Sequence, residues 1–451
     1  VIAPERPHAG LALALLALAL CGTVALWLPA SLADRSERTW KYFLGRQLLQ
    51  AGFDSLSAAC GVGLLTRDIS RDYSPTGRWT LWTLGQLGAL LYLAAATRLL
   101  ARLRSPDAPG PPASVRLVLL IFLAAEATLI LIVWAADRVA GPGLGPGQVA
   151  WLVGGAFASL GILERPADAW TSAVLTLTSL IAGLGWPVWL CVVPALARRV
   201  IRIGSALRLA AGYAAFLLSA ALLLWVLEAP RGVLRAPPTQ ELLSLAPPGV
   251  RFLRCLTLSI CASSAGTATE DLTAGAVRDA SRGLLAAVVL IGPLGGSAGG
   301  GIKWLLFVSA IAAIVGYERQ TPDGPRARQN AAASAGRFCL VAMGGATALV
   351  AIGLLLIETL TATGFQPAPS LGDALLDACA ALGGAGLSSG LAATVTGPSL
   401  TRGLGLSVDL YPIGMAWLML AMLAGRVLPL WLLVRWSRKH DGRRFADTPL
   451  L

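Results

Sequence analysis

The sequence predicts an all-α membrane protein made of four tandem units, each a membrane span, a short half-span and a second span. Three observations predict it. The 451 residues are 56% hydrophobic and only 13% charged, about half the charged share of an ordinary soluble domain, and mean hydropathy is +0.69. Apolar runs near the roughly 20 residues needed to cross a bilayer recur from residue 10 to beyond residue 430, leaving no stretch for a separate soluble domain. Between them, at regular intervals, lie shorter segments rich in Gly, Ala and Ser.

Eight long runs cover 10–30, 79–101, 117–136, 174–197, 206–227, 283–316, 338–361 and 408–434. The first is longer than a signal-peptide core and lacks a clear cleavage pattern, so it is read as a retained span. The half-spans at 52–66, 150–163, 250–267 and 372–390 are too short to cross and suit re-entrant helices followed by loops. Each ends in a small-residue turn: Ala-Cys-Gly-Val-Gly-Leu at 59–64, Ala-Ser-Leu-Gly-Ile at 158–162, Ser-Ser-Ala-Gly-Thr at 263–267 and Gly-Ala-Gly-Leu-Ser at 384–388. The marking glycines, Gly63, Gly161, Gly266 and Gly386, lie 98, 105 and 120 positions apart, one repeat length with loop variation. The units are 1–110, 111–204, 205–332 and 333–451, the last with a basic tail.

The charge of +12 is carried by 36 Lys and Arg, all but Lys41, Lys303 and Lys439 being arginine. Arginines cluster in the connectors, at Arg98, Arg102, Arg104 and Arg116, then Arg198, Arg199, Arg202 and Arg208, then Arg319, Arg326, Arg328 and Arg337. The positive-inside rule puts connectors and tail in the cytoplasm and the half-spans on the outer side. No basic block with interleaved aromatics occurs, so nucleic acid is not the expected partner; membrane lipid is. Both histidines, His8 and His440, are near the termini, and the seven cysteines are scattered singly, so no metal site or disulfide framework is expected. The intramembrane acids are isolated and no nucleophile is paired with a base, which argues against an enzyme, a membrane-embedded lipid-processing one included.

Four glycine-marked loops at membrane depth have a specific use. Glycine accepts φ above zero, so successive carbonyls can face a common axis and replace the hydration shell of a monovalent cation. Non-helical backbone is tolerated there only when buried in protein or lining a wet path. The repeats are therefore expected to surround a central ion pore. The run 292–301 holds six glycines within an expected span; glycine costs about 1 kcal/mol relative to alanine inside a helix, so the run should break it. Lys303 and Arg426 are charges in or beside apolar spans, where a charge faces a cavity or snorkels to the surface. Lys303 fits either outcome; Arg426, with apolar residues on both sides, fits a place facing the pore, slowing cations or anchoring the loop. Glu126, Glu228 and Glu358 recur in or at the ends of the first spans of units two to four, which predicts one shared structural job, accepting hydrogen bonds from pore-loop backbone N–H groups.

These residues resemble the Trk/Ktr/HKT superfamily of potassium transporters, built from four membrane-pore-membrane repeats in one chain. Ile291-Gly292-Pro293-Leu294-Gly295-Gly296-Ser297-Ala298-Gly299-Gly300-Gly301-Ile302-Lys303 is similar to the family's small-residue run in the second span of repeat three. Ala385-Gly386-Leu387-Ser388-Ser389-Gly390 resembles the fourth filter, Gly425-Arg426-Val427-Leu428-Pro429-Leu430 the last span, and Gly183-Leu184-Gly185 a cluster in the second span of repeat two. The likeness runs in family order over nearly all of 10–436 and is nearer the eight-span Ktr type.

The resemblance implies a potassium filter formed by Cys60, Gly61, Val62 and Gly63, Leu160 and Gly161, Ala265 and Gly266, and Ala385 and Gly386. It implies a gate loop over 292–303, with Gly292, Gly295, Gly296, Ser297, Ala298, Gly299, Gly300, Gly301 and Lys303, together with Arg426. Serine in place of the first filter glycine accompanies sodium preference in the family; all four positions here are glycine. The resemblance further implies a homodimer in the inner (cytoplasmic) membrane of a bacterium, passing K+ with no covalently bound cofactor. Nucleotide would act only through a separate cytoplasmic ring of nucleotide-binding regulatory subunits. The chain departs from the family's pattern in three filters. Cys60-Gly61-Val62-Gly63 stands where threonines are common, Ser263-Ser264-Ala265-Gly266-Thr267 where Arg-Thr-Ala-Gly-Phe is usual, and Gly384-Ala385 where Thr-Val is usual. The alternative is a diverged relative that is poorly selective, sodium-conducting or a non-conducting sensor.

Overall fold

The computed structural model describes residues 7–33, 44–70, 72–103, 114–162, 168–189, 203–230, 243–270, 272, 277–314, 325–361, 371–388 and 412–439. Ser389, Gly390, Cys191 and much of the Arg-rich connectors and tail lie outside them. Apart from one antiparallel bridge between Leu32 and Tyr73, the regular structure of the described residues is helical. The helices are α1 Pro7–Trp27, α2 Leu44–Ala59, α3 Pro75–Leu103, α4 Val115–Ala140, α5 Pro146–Phe157, α6 Ala169–Trp189, α7 Ile203–Leu227, α8 Pro248–Ser263, α9 Asp279–Ile291, α10 Trp304–Ile314, α11 Pro325–Thr361, α12 Leu371–Gly383 and α13 Pro412–Lys439. Proline opens α1, α3, α5, α8, α11 and α13, where its missing N–H costs nothing and its fixed φ already suits a helix. Ser114 caps α4, its hydroxyl accepting the Leu117 N–H at 3.2 Å.

Seven described helices, α1, α3, α4, α6, α7, α11 and α13, are long and apolar enough to cross a membrane. The eighth expected run is divided: α9 and α10 are separated by the non-helical stretch 292–303, as its glycine density predicts. The four expected half-spans are α2, α5, α8 and α12, of 16, 12, 16 and 13 residues. At about 1.5 Å per residue none reaches across a hydrocarbon core about 30 Å thick.

These short helices are sheathed by long ones. α2 packs on α1 and α3, α5 on α4 and α6, α8 on α7 and α9, and α12 on α11 and α13, while α13 returns to touch α1 and α2. The long helices divide by place. Those that precede a short helix, α1, α4, α7 and α11, have only 28% of their apolar stretch buried, against 50–56% for α3, α6 and α13, which follow one. Leu13, Leu20, Leu120, Leu131, Leu207, Leu223, Val341 and Leu349 are accordingly exposed. An apolar surface of that extent would be untenable in water and matches lipid. The following helices and the interrupted α9–α10 form the inner layer, so their irregularities bear on the centre of the molecule. α6 breaks at Gly185, with φ of 71° and Pro187 just beyond.

Candidate functional site

The site is built where the four short helices end. Each closes with the same kind of backbone bond, an N–H to the carbonyl five residues back: Val62 to Ser57 at 2.8 Å, Leu160 to Gly155 at 2.8 Å, Gly266 to Cys261 at 2.7 Å and Ala385 to Ala380 at 3.0 Å. Such a closure satisfies carbonyls that the helix end orphans. It needs a left-handed residue just before it in three turns, supplied by Gly61 (56°), Ser159 (59°) and Gly384 (68°). In the third turn Ser264 has φ of −123°, and the closing bond moves on by one residue.

The turns then converge. A β-carbon on Gly63 would overlap the Leu160 carbonyl, and one on Gly161 would lie 2.8 Å from the Gly386 nitrogen. One on Gly266 would lie 2.6 Å from the Ala385 α-carbon, and one on Gly386 2.8 Å from the Gly161 oxygen. Backbone thus meets backbone at all four marked positions, and side chains are excluded there. Gly63, Gly161 and Gly266 take φ of 82°, 69° and 69°. In the fourth turn the left-handed residue is Gly384 and not Gly386, so that turn bends two residues earlier than the marking glycine.

The stretch 292–303 lies against these turns. It is folded on itself by Ile302 N–H to Leu290 O (2.9 Å) and Trp304 N–H to Pro293 O (3.1 Å). A β-carbon on Gly300 would overlap the Gly383 carbonyl, and one on Gly299 would come within 3.3 Å of the Ser264 oxygen. On its other side the broken part of α6 docks: Leu294 N–H donates to Gly183 O (3.0 Å), and Gly185 meets Gly295, Gly296 and Ser297 with no room for a β-carbon. Gly183-Leu184-Gly185 and the glycine run, far apart in sequence, are therefore one contact.

Arg426 joins the two layers. Its guanidinium, fully buried, donates to the carbonyls of Cys60, Gly61 and Ala298, the Gly61 bond being 3.0 Å, and lies over the Tyr92 ring with its carbon 5.0 Å from the centroid. Lys303 is also buried and does not snorkel. Its ammonium donates to the Ser297 hydroxyl (3.2 Å) and the Gly299 carbonyl, 5.4 Å from the same ring centroid. Backbone carbonyls meet both cations, and a hydroxyl also meets Lys303. Lys303 itself has φ of 77°, the left-handed end of the stretch.

Glu126 and Glu228 do not share one job. Glu126 is met by a side chain, the Gln86 amide at 2.5 Å, and not by a pore-loop N–H; the same amide reaches the Gly154 carbonyl of α5 at 3.1 Å. Glu228 does accept a backbone N–H, from Arg278 at 3.0 Å, and the Ser281 hydroxyl at 2.5 Å. That is the start of α9, where a carboxylate complements the helix dipole. Glu358 is buried on α11. Glu126, in mid-span, meets a side chain of α3, and Glu228, at a span's end, meets the terminus of α9.

Ser159, Tyr92 and Gln86 are site residues that the spacing of motifs does not mark. Ser159 donates its hydroxyl to the Ser264 carbonyl at 2.6 Å, linking the second turn to the third. Its signal is the non-glycine residue at the place where turns one and four carry glycine.

In comparisons with known proteins, no family model and no curated sequence matches the chain. Among solved structures, it is similar to the potassium transporter TrkH from Vibrio parahaemolyticus, with a TM-score of 0.59 and 16% identity over 86% of this chain and 78% of that one. At that identity the likeness establishes the fold, an all-α, multi-pass membrane architecture shared with a transporter.

Proposed function

We propose that the chain is a monovalent-cation uptake protein of the Trk/Ktr/HKT type, passing K+ through a pore between four repeats. The observation that carries it is the convergence of four glycine turns, backbone on backbone, at the centre of a fold shared with a potassium transporter. The reading assigns the filter to Val62, Gly63, Leu160, Gly161, Ala265, Gly266, Ala385 and Gly386. Cys60 and Gly61 leave that set, because their carbonyls serve the Arg426 guanidinium. The stretch 292–303 is the gate, docked under the turns and tied to turn one through Arg426. The protein works in the inner membrane of a bacterium, as a homodimer with a cytoplasmic ring of nucleotide-binding regulators, and takes no covalent cofactor.

Expression in a bacterium lacking its own potassium uptake is expected to restore growth at low potassium, with cation flux in liposomes of purified protein. Absence of both removes the conducting reading. The second reading, a poorly selective or non-conducting relative, is favoured by one observation: the second and fourth turns touch at Gly161 and Gly386. Flux with equal K+ and Na+ rates, or none, selects it.

A further inference from the structure

The pathway described so far gives no role to several buried charges, Asp54 among them. Asp54 lies within α2, fully buried, nine residues before Gly63. Its carboxylate accepts the Thr66 N–H at 2.7 Å, the Thr66 hydroxyl at 3.0 Å and the Tyr73 hydroxyl at 2.5 Å. One turn earlier on α2, the Gln50 side-chain oxygen accepts from the Arg67 guanidinium at 3.1 Å. Thr66 is the third residue beyond Gly63, and Tyr73 is bridged to Leu32 just before α3 begins. The chain leaving turn one is thus laced back to the helix that enters it. A second carboxylate holds the same register on α12: Asp377, nine residues before Gly386, is also fully buried.

Packing alone does not call for an acid here. A buried carboxylate carries a heavy desolvation cost unless hydrogen bonds offset it, and alanine would fill a helix interior with none. The donors that Asp54 gathers come from the far side of the turn, so the cost is met by fixing the turn's exit. Val62 and Gly63 lie in the chain between the two fixed ends, and Leu64 and Leu65, which follow them, are buried. Selectivity depends on the number, position and stiffness of such carbonyls.

We propose that Asp54 is a positioning residue for cation discrimination: by holding Thr66 and Tyr73 it sets the level and rigidity of the Val62 and Gly63 carbonyls. The proposal rests on the conducting reading for its functional half and on geometry alone for its structural half. Asp54→Asn, Thr66→Val and Tyr73→Phe, reconstituted in liposomes, are compared with the parent for K+ and Na+ flux. Purified samples are compared for hydrogen exchange at 62–66, with 265–270 of the third turn as internal control.

The K+ to Na+ ratio is expected to fall roughly tenfold in Asp54→Asn, the loss of a charge-assisted bond. It should fall about threefold in each single-donor variant, with faster exchange at 62–66 and none at 265–270. An unchanged ratio in the two single-donor variants overturns the proposal even if Asp54→Asn fails to fold. So does exchange that rises equally in both segments. Where the parent passes neither cation, the conducting reading fails by itself; exchange then decides, unaltered protection at 62–66 refuting Asp54 as a positioning group.

Discussion

The first and third turns close buried helices of equal length, 16 residues each, and both pass through left-handed glycine, yet opposite chemistry holds them. On turn one the carbonyls of Cys60 and Gly61 face a guanidinium brought by α13, from the other end of the chain. On turn three the Ser264 carbonyl takes a hydroxyl from Ser159, and Ser263 shares a 2.8 Å hydrogen bond with the Tyr213 hydroxyl. Beyond the turns a charged group holds each: turn one leaves along the buried Asp54 network, whereas turn three is tied by the partly exposed Arg254–Glu270 ion pair. A hydrogen bond to a charged group contributes about 1.5–3 kcal/mol and a neutral one about 1 kcal/mol. The inner face of turn one is therefore held more firmly, and through Ala298 it is held to the interrupted helix as well. A movement of 292–303 that shifts Ala298 therefore pulls on turn one through Arg426.

Replacing Arg426 with alanine breaks this contrast most completely. It removes the clamp on turn one, the tie to Ala298 and a positive charge under the turns. A unit charge about 6 Å from a passing cation repels it by about 3 kcal/mol at an effective dielectric of about 20. Cation flux into liposomes is expected to rise at least roughly tenfold. Unchanged or lower flux, in protein that still purifies as a folded species, would remove Arg426 from the gate.

Gly63→Ser tests the same turn from its outer side. A side chain at φ of 82° costs about 1–3 kcal/mol, and its β-carbon would overlap the Leu160 carbonyl. The variant is expected to melt several degrees lower and, in flux measurements, to shift its preference towards Na+. A lower melting point with unaltered preference would make Gly63 a packing glycine.

How far such features were legible differs with their range. Span lengths, the four short helices and the break at 292–303 are written locally, in runs of apolar residues and in a density of glycine that no helix supports. The spacing of Gly63, Gly161, Gly266 and Gly386 made their meeting an expectation, and close backbone contacts join the turns that carry them. The partners of Arg426 did not follow: Cys60 is 366 positions away, and nothing near either residue names the other. Recurrence in sequence is not recurrence in chemistry for Glu126 and Glu228, whose donors, Gln86 and the α9 terminus, differ. Asp54 has a signal in the sequence, an acid inside a half-span at the register of Asp377, but its partners Thr66 and Tyr73 lie beyond the turn and nothing local names them.

The smallest expected effect separates bonding from backbone at the link between turns two and three. Ser159 both donates to Ser264 and bears a left-handed φ of 59°. Ser159→Ala loses the hydrogen bond, about 1 kcal/mol, and keeps the strain. Ser159→Gly loses the same bond but relieves roughly 1 kcal/mol of backbone strain, so its melting temperature should stay near the parent's while that of the alanine variant falls. Both should change flux equally, by less than about fivefold, because both free the Ser264 carbonyl. If the glycine variant melts as low as the alanine one, the left-handed turn is not what strains Ser159.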